Sequence, residues 1–318
     1  MTALSFVLCV PTYNADQQWQ DWIATYQQQT RKADEVIVVD SSSSDQTVKW
    51  AEEAGFSVHS ISQMEFNHGG TRNQAVKFAK SFADIVVFMT QDAILASPDS
   101  LANLLAPFAD PEVTTVYGKQ LPHANSTPVA AHARYFNYPA QSKLKSKADI
   151  PSLGIKTAFM SNSFAAYRRS VFEELGGFPD NTILAEDMYL TAKMVLAGYK
   201  VAYCAEATVF HSHNYTLSQE LQRYFDTGVF QQEQGWIQQT FGKMASEGKK
   251  FVLSELKFLV KNAPHLLPKA LLSTFAKWIG FQLGYHYQKL PYAWCKALSM
   301  HKGYWKDEKN RRLRAPHQ

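Results

Sequence analysis

Cysteine is scarce. Cys9, Cys204 and Cys295, the only three in 318 residues, are odd in number and far apart, so neither a disulfide framework nor a CxxC metal site is suggested, and a reducing compartment fits best. No apolar run reaches the roughly 18 residues that a membrane-spanning helix needs. The opening MTALSFVLCVPTYN has no basic lead and its apolar run stops at Pro11, so it reads as a first strand and not as a secretion signal. No GxGxxG follows that strand, and neither GxxxxGK[ST] nor GxSxG occurs, which removes the usual dinucleotide, P-loop and serine-hydrolase sites. A sugar nucleotidyltransferase would need a glycine-rich phosphate loop that VPTYN does not provide. Acidic residues thin out toward the C-terminus: Phe241 to Gln318 holds 4 against 15 Lys or Arg, whereas the remainder holds 24 against 17. The two parts are expected to meet different partners.

What is present describes a folded chain. Aliphatic and aromatic residues make up 46% and charged ones 19%, enough for one large α/β domain with an appendage, or for two domains. Phe6–Val10 predicts a strand, and Trp19, Trp22, Ile23 and Tyr26 form the stripe of an amphipathic helix. Strands at Glu35–Asp40, Phe56–Ile61 and Ile85–Thr90 then alternate with helices at Thr47–Ala54 and Thr71–Phe82. Such alternation implies parallel pairing with right-handed crossovers. A helix near Pro98–Phe108 and a strand near Val113–Gly118 follow. Residues 119–160 lose periodicity and read as a loop over the site. Order returns at Phe164–Tyr167, at the helix Arg169–Leu175, and at a helix opening on Glu186 and Asp187 and closing at Gly198.

Open α/β sheets bind ligands beyond the carboxyl ends of their strands. Pro11, Thr12, Tyr13 and Asn14 follow strand one, Asp40 ends strand two, and Gln91 and Asp92 follow the strand that begins at Ile85. All should collect on one rim.

Seven phrases on these segments, in order, carry a resemblance: VPTYN at 10–14, VVDSSSSD at 38–45, FNHGGTRN at 66–73, FMTQDA at 88–93, GGF at 176–178, AEDM at 185–188 and HSHNYT at 211–216. Together they resemble the inverting GT-A glycosyltransferases of family two, and FNHGGTRN, TQDA and AEDM are most similar to the rhamnosyltransferase branch. KLP and LSMHKGYW, further on, look like that branch too. The resemblance implies an α/β fold of the GT-A kind, a Rossmann-like, mostly parallel nucleotide-diphosphate-sugar-binding sheet flanked by helices. It places a catalytic domain at 1–245, with a donor half at about 1–118 and an acceptor half at about 119–245, and a helical basic extension at 246–318.

A nucleotide-diphosphate-sugar donor is implied, a dTDP-sugar being favoured, with a saccharide acceptor that is often lipid-linked. Pro11, Thr12, Tyr13 and Asp40 would hold base and ribose, unless the Asp40 carboxylate caps the next turn. Asp45 reads as a helix cap instead. Gly69 and Gly70 permit close backbone approach at a helix start, from which Arg72 would reach the diphosphate; the other reading is a glycine loop with a surface arginine. His68 either packs or touches substrate, and Gln91 belongs to the donor set. Asp92 takes the last position of the family's Asp-x-Asp metal motif, although Thr90 replaces its first acid. His211 matches a histidine that joins the same divalent cation, and a nitrogen ligand favours Mn²⁺ over Mg²⁺. His213, one position removed on a strand, should face the other way. Glu186 and Asp187 are the candidate bases. Asp187 is preferred by family position and is expected to be held as a weakly basic anion by the helix dipole.

The tail after Lys249 interleaves aromatics with lysines, as in LKFLVKN and FAKWIGFQLGY. Its helices are expected either at an anionic membrane surface, which would place a cytoplasmic enzyme on the inner face of the cell membrane, or packed on the catalytic domain or in a homo-oligomer. Nucleic acid is not expected, because no binding motif accompanies the charge.

Overall fold

The computed structural model describes residues 4–80, 83–242 and 245–306. Strand β1 (Phe6–Thr12) has no polar face: Val7 and Cys9 enter one core while Phe6, Leu8 and Val10 enter the other. A central strand covered by helices on both sides requires that pattern. Helix α1 (Asp16–Gln27) buries the predicted stripe Trp19, Trp22, Ile23 and Tyr26 against Phe56. Strand β2 (Glu35–Asp40), α2 (Thr47–Glu53), β3 (Ser57–Ser60), α3 (His68–Phe78) and β4 (Ile85–Met89) complete the first half. The chain then forms β5 (Ile94–Leu95), α4 (Ser100–Leu105) and β6 (Val113–Leu121).

The stretch expected to be a loop is structured. Strand β6 runs on to Leu121, and α5 (Pro128–Asn137), β7 (Lys143–Lys145) and α6 (Ile150–Leu153) follow. Helix α5 carries a start signal that the periodicity hid: the Thr127 hydroxyl accepts from Ala130 N–H, and Pro128 occupies the first turn, where its missing donor costs nothing. Next come β8 (Phe164–Arg168), α7 (Arg169–Glu174), α8 (Glu186–Leu196) and β9 (Lys200–Phe210). Gly198, at φ +97°, closes α8 as expected, with Tyr199 N–H returning to Met194 O and Gly198 N–H to Val195 O.

The sheet order is β3-β2-β1-β4-β8-β6-β9-β5, with β7 also on β9. The first four strands pair in parallel, as do β6 and β9. Strand β8 runs antiparallel between β4 and β6, and β5 and β7 are antiparallel to β9, so the sheet is mixed rather than mostly parallel. The reversal of β8 has a consequence for the site: its N-terminal end meets the C-terminal end of β4 through the pair Phe164↔Met89. The carboxyl ends of β1, β2, β4, β6 and β9 and the entry to β8 therefore share one rim.

The remaining helices are α9 (Leu217–Glu233), α10 (Gly235–Phe241), α11 (Ala245–Asn262), α12 (Leu267–Tyr285) and α13 (Tyr292–Leu298). Helices α9 and α12 pack backbone against backbone. A Cβ on Gly280 would lie 2.2 Å from Leu221 O, and one on Gly284 1.9 Å from Phe225 O. Packing on α9, within the stretch expected to be the catalytic domain, is thus what the structure shows for one face of this region. Its last residues, 307–318, lie outside the described residues.

Candidate active site

Asp92 enters the rim on the turn between β4 and β5. Because Ile94 pairs with Phe210, that turn faces the exit of β9. His211 Nε2 lies 3.4 Å from Asp92 Oδ1 and His213 Nε2 lies 3.6 Å from Oδ2. The ligand atoms of the three residues all fall within 4.8 Å of one another. The expectation that His213 points away is overturned. Strand β9 ends at Phe210, so the two-residue alternation does not reach positions 211 and 213.

The hydrogen-bond network tests whether this set fits a cation. Gln120 Nε2 donates to Ser161 Oγ at 2.9 Å, which turns its oxygen toward His211 Nδ1, 2.9 Å away. His211 Nδ1–H then donates, which leaves Nε2 facing the Asp92 carboxylate. That 3.4 Å contact is favourable with positive charge between the two atoms, either a proton on Nε2 or a cation in its place. A carboxylate and two imidazoles suit Mn²⁺ or another borderline divalent ion, so the residues fit. Burial alone would raise the Asp92 carboxyl, but the His211 hydrogen bond and charge outweigh it and hold the group below the usual carboxylate range. Burial, followed by His211, pushes His213 down to about 4 against the pull of Asp92, leaving a neutral ring able to ligate at pH 7.

Asp187 reaches the same rim from α8. Ala185 just before it takes φ +59°, a left-handed conformation that costs an alanine about 1 kcal/mol and sets the entry angle of the helix. Asn162 N–H donates to Asp187 Oδ2 at 3.0 Å and Met188 N–H to Oδ1 at 2.7 Å. Asn162 follows Ser161, so a route of contacts runs from Asp92 through His211, Gln120 and Ser161 to the base candidate. Burial and the adjacent Glu186 charge raise the Asp187 carboxyl to about 7. This corrects the expectation of a weakly basic anion, because desolvation outweighs the two N–H donors.

Glu186 is different. It is 5% exposed, 3.2 Å from Arg72 Nη1, and accepts from Asn162 Nδ2 at 2.9 Å. Burial pulls its carboxyl upward, but Arg72 and His68 hold it below its ordinary value. Glu186 is a paired, buried anion that raises and positions Asp187. Arg72, 5% exposed and also donating to His68 O, is committed to this pair; neither the diphosphate contact nor the surface arginine is what the fold shows.

The glycines of FNHGGTRN serve packing. A Cβ on Gly69 would lie 1.8 Å from Pro179 O, and Gly70 N–H is capped by the Asn67 side chain, so the helix start faces protein and not an anion. His68 Nε2 contacts His301 Nδ1 at 3.3 Å, joining the C-terminal segment to the base of the site. Asp40 is 1% exposed and accepts from Thr12 Oγ1 at 3.0 Å and from Ser43 N–H at 2.7 Å, the local cap weighed against a base contact. Asp45 accepts from Thr47 N–H at the start of α2, as expected of a cap. Gln91 clamps the Tyr13 backbone from both sides, with Oε1 accepting from N–H at 2.7 Å and Nε2 donating to O at 3.1 Å, while the Tyr13 ring stands 45% exposed beyond Pro11. A cleft of about 500 Å³ opens beside these groups, lined by Gln18, Asp92, His123, Ser212, His213 and Tyr215 among others.

A family model described as glycosyl transferase family 2 matches residues 7–176. The chain belongs to that family. This family-2 glycosyltransferase is 57% identical over 304 residues, 95% of this chain and 96% of the relative, to the O-antigen chain rhamnosyltransferase RfbN of Salmonella typhimurium. It is 56% identical over 302 residues, with the same shares covered, to the O-antigen chain rhamnosyltransferase WbaN of Salmonella anatum. Its GT-A fold is shared with two solved structures. The mannosyltransferase PcManGT of Pyrobaculum calidifontis, in complex with GDP-Man and Mn²⁺, aligns with TM-score 0.56 at 19% identity over 100% of this chain and 89% of that one. S. aureus TarS 1–349 aligns with TM-score 0.57 at 18% identity over 99% and 93%.

Proposed function

We propose that this glycosyltransferase is an inverting rhamnosyltransferase that moves L-rhamnose from a dTDP donor to a hydroxyl of a lipid-linked saccharide in bacterial O-antigen synthesis. The observation that carries the reading is the identity of 57% across 95% of the chain to an O-antigen chain rhamnosyltransferase. The site agrees with it. Asp187, titrating near neutrality, takes the proton of the acceptor hydroxyl. The freed oxygen attacks the anomeric carbon from the side opposite the leaving diphosphate, through an oxocarbenium-like state that inverts the centre and needs no covalent enzyme intermediate. Asp92, His211 and His213 would hold a divalent cation, Mn²⁺ before Mg²⁺, whose charge supports the departing diphosphate when it is bound. The Tyr13 loop, steadied by Gln91, and Thr12 and Asp40 flank the place of the base.

A noncatalytic, saccharide-binding role would follow from Thr90 standing where the motif's first acid belongs. His213 answers it by supplying a third ligand from the other side of the cleft. The test is product formation by the purified full chain with dTDP-L-rhamnose and a lipid-linked saccharide acceptor, read by mass spectrometry beside UDP- and GDP-sugars. Turnover of another donor but not of dTDP-L-rhamnose would refute the sugar assignment.

The outer faces of α11 and α12 favour an anionic membrane surface as a further partner. Leu253 and Val260 are exposed among Lys249, Lys257 and Lys261, and Leu271, Leu272, Phe275 and Trp278 are each more than half exposed opposite the glycine face of α12. Among the described residues no helix is long and apolar enough to cross a membrane. The full chain should sediment with anionic vesicles, and Phe275→Asp with Trp278→Asp should abolish this; retained binding, or a dimer that dissociates in that variant, would contradict it.

A further inference from the structure

Two arginines flank the cation cluster and have no carboxylate within ion-pair reach among the described residues. Each backs one of the histidines through a single intermediary. Arg134, on α5, donates from Nη1 to Gln120 Oε1, the oxygen that also receives His211. Arg223, on α9, lies over the Tyr215 ring at 5.6 Å and donates to its hydroxyl at 3.3 Å, and Tyr215 in turn stacks on His213 at 5.1 Å. The buried Nε of Arg134 has no hydrogen-bond partner.

Buried guanidinium groups are normally paired, because an uncompensated charge out of water is costly. Arg134 Nε is enclosed without such a partner, and burial, with the charge of the exposed Arg223 nearby, depresses the Arg134 guanidinium. Their position is also informative. Tyr215, over which Arg223 lies, lines the same cleft as Asp92 and His213.

The geometry points to Arg134 and Arg223 as the residues that bind the diphosphate of the nucleotide donor, taking the place that FNHGGTRN, with Arg72 committed to Glu186, does not fill. Guanidinium forks match phosphate oxygens in geometry and charge, and each such contact strengthens as negative charge gathers on the leaving group. The inference rests on the transferase reading but not on the choice of base. A lipid-linked acceptor offers the same diphosphate chemistry, and proximity to the cation cluster favours the donor.

The experiment is calorimetry with Mn²⁺ on the full chain, first with dTDP, UDP and GDP and then with the monophosphate of whichever binds tightest. A wild type that prefers UDP or GDP corrects the nucleotide without touching the arginines. Arg223→Gln, at an exposed position, and Arg134→Lys, which keeps the charge but loses the fork, should each weaken the diphosphate about 10- to 100-fold while leaving the monophosphate within about threefold. An unchanged ratio of diphosphate to monophosphate affinity in Arg223→Gln, with an unaltered circular dichroism spectrum, overturns the assignment. So does a loss confined to the lipid-linked acceptor.

Discussion

Replacing Asp187 by Asn tests the base in a way that separates lost chemistry from lost structure. The carboxylate accepts two backbone N–H groups, and an amide oxygen can keep only one of them well, at a cost of about 1 kcal/mol. Against this, the wild-type carboxyl titrates at about 7 in the fold, above its ordinary unfolded value. A raised acid stabilises the native state below the unfolded pKa, and that contribution is lost as pH rises through about 7, where the half-buried anion must form beside Glu186. The amide carries no such charge. The stability of Asp187→Asn relative to wild type should therefore improve between pH 5 and pH 8, by an amount that thermal melts resolve. Activity should move oppositely. Wild-type kcat/KM should fall about tenfold per pH unit below about 7, and the variant should lose about 10² to 10⁴ in rate at pH 8. The assay is release of nucleoside diphosphate with a saturating acceptor. Turnover by the variant within tenfold of wild type, with the acid limb of the pH profile retained, would refute the reasoning.

Other substitutions probe the parts around it. His213→Ala should weaken Mn²⁺ at least tenfold by calorimetry, and Gln120→Leu, which frees the His211 ring, by about 10- to 100-fold; unchanged affinity in both would remove the histidines from the cation site. Arg72→Met leaves Glu186 buried without its partner and should cost about 3 to 5 kcal/mol in denaturant unfolding. Gly284→Ala drives a methyl to 1.9 Å from Phe225 O and should destabilise by about 1 to 3 kcal/mol, whereas Gly248→Ala in α11, with nothing within 4 Å, should be neutral or slightly stabilising.

Much of the donor half was legible because its signals are local. Strand β2 is found at the residues predicted, and the stripe of α1 is buried residue by residue. The carboxyl ends of β1, β2 and β4 could be assigned to one rim from alternation alone. What escaped depends on contacts distant in the chain. Arg72 read as a diphosphate contact until α8 brought Glu186 to it from 114 positions away, and no periodicity announces such a pair. Gly69 suggested a phosphate cradle, whereas its neighbour is the carbonyl of Pro179. Gln120 and Asn162, which join the two ends of the site, are ordinary amides in segments without a clear period. His213 was misplaced by extending strand geometry past the last residue of β9. The rise in the Asp187 pKa likewise comes from burial, which the helix-start pattern does not contain.

The most direct measurement is anomalous scattering from crystals of the full chain grown with MnCl₂ and dTDP. A manganese peak among Asp92, His211 and His213, with the diphosphate between it and the Asp187 carboxylate, is the predicted result. Nucleotide bound on the rim with manganese elsewhere, or with Asp187 on the same side as the departing phosphate, would contradict it.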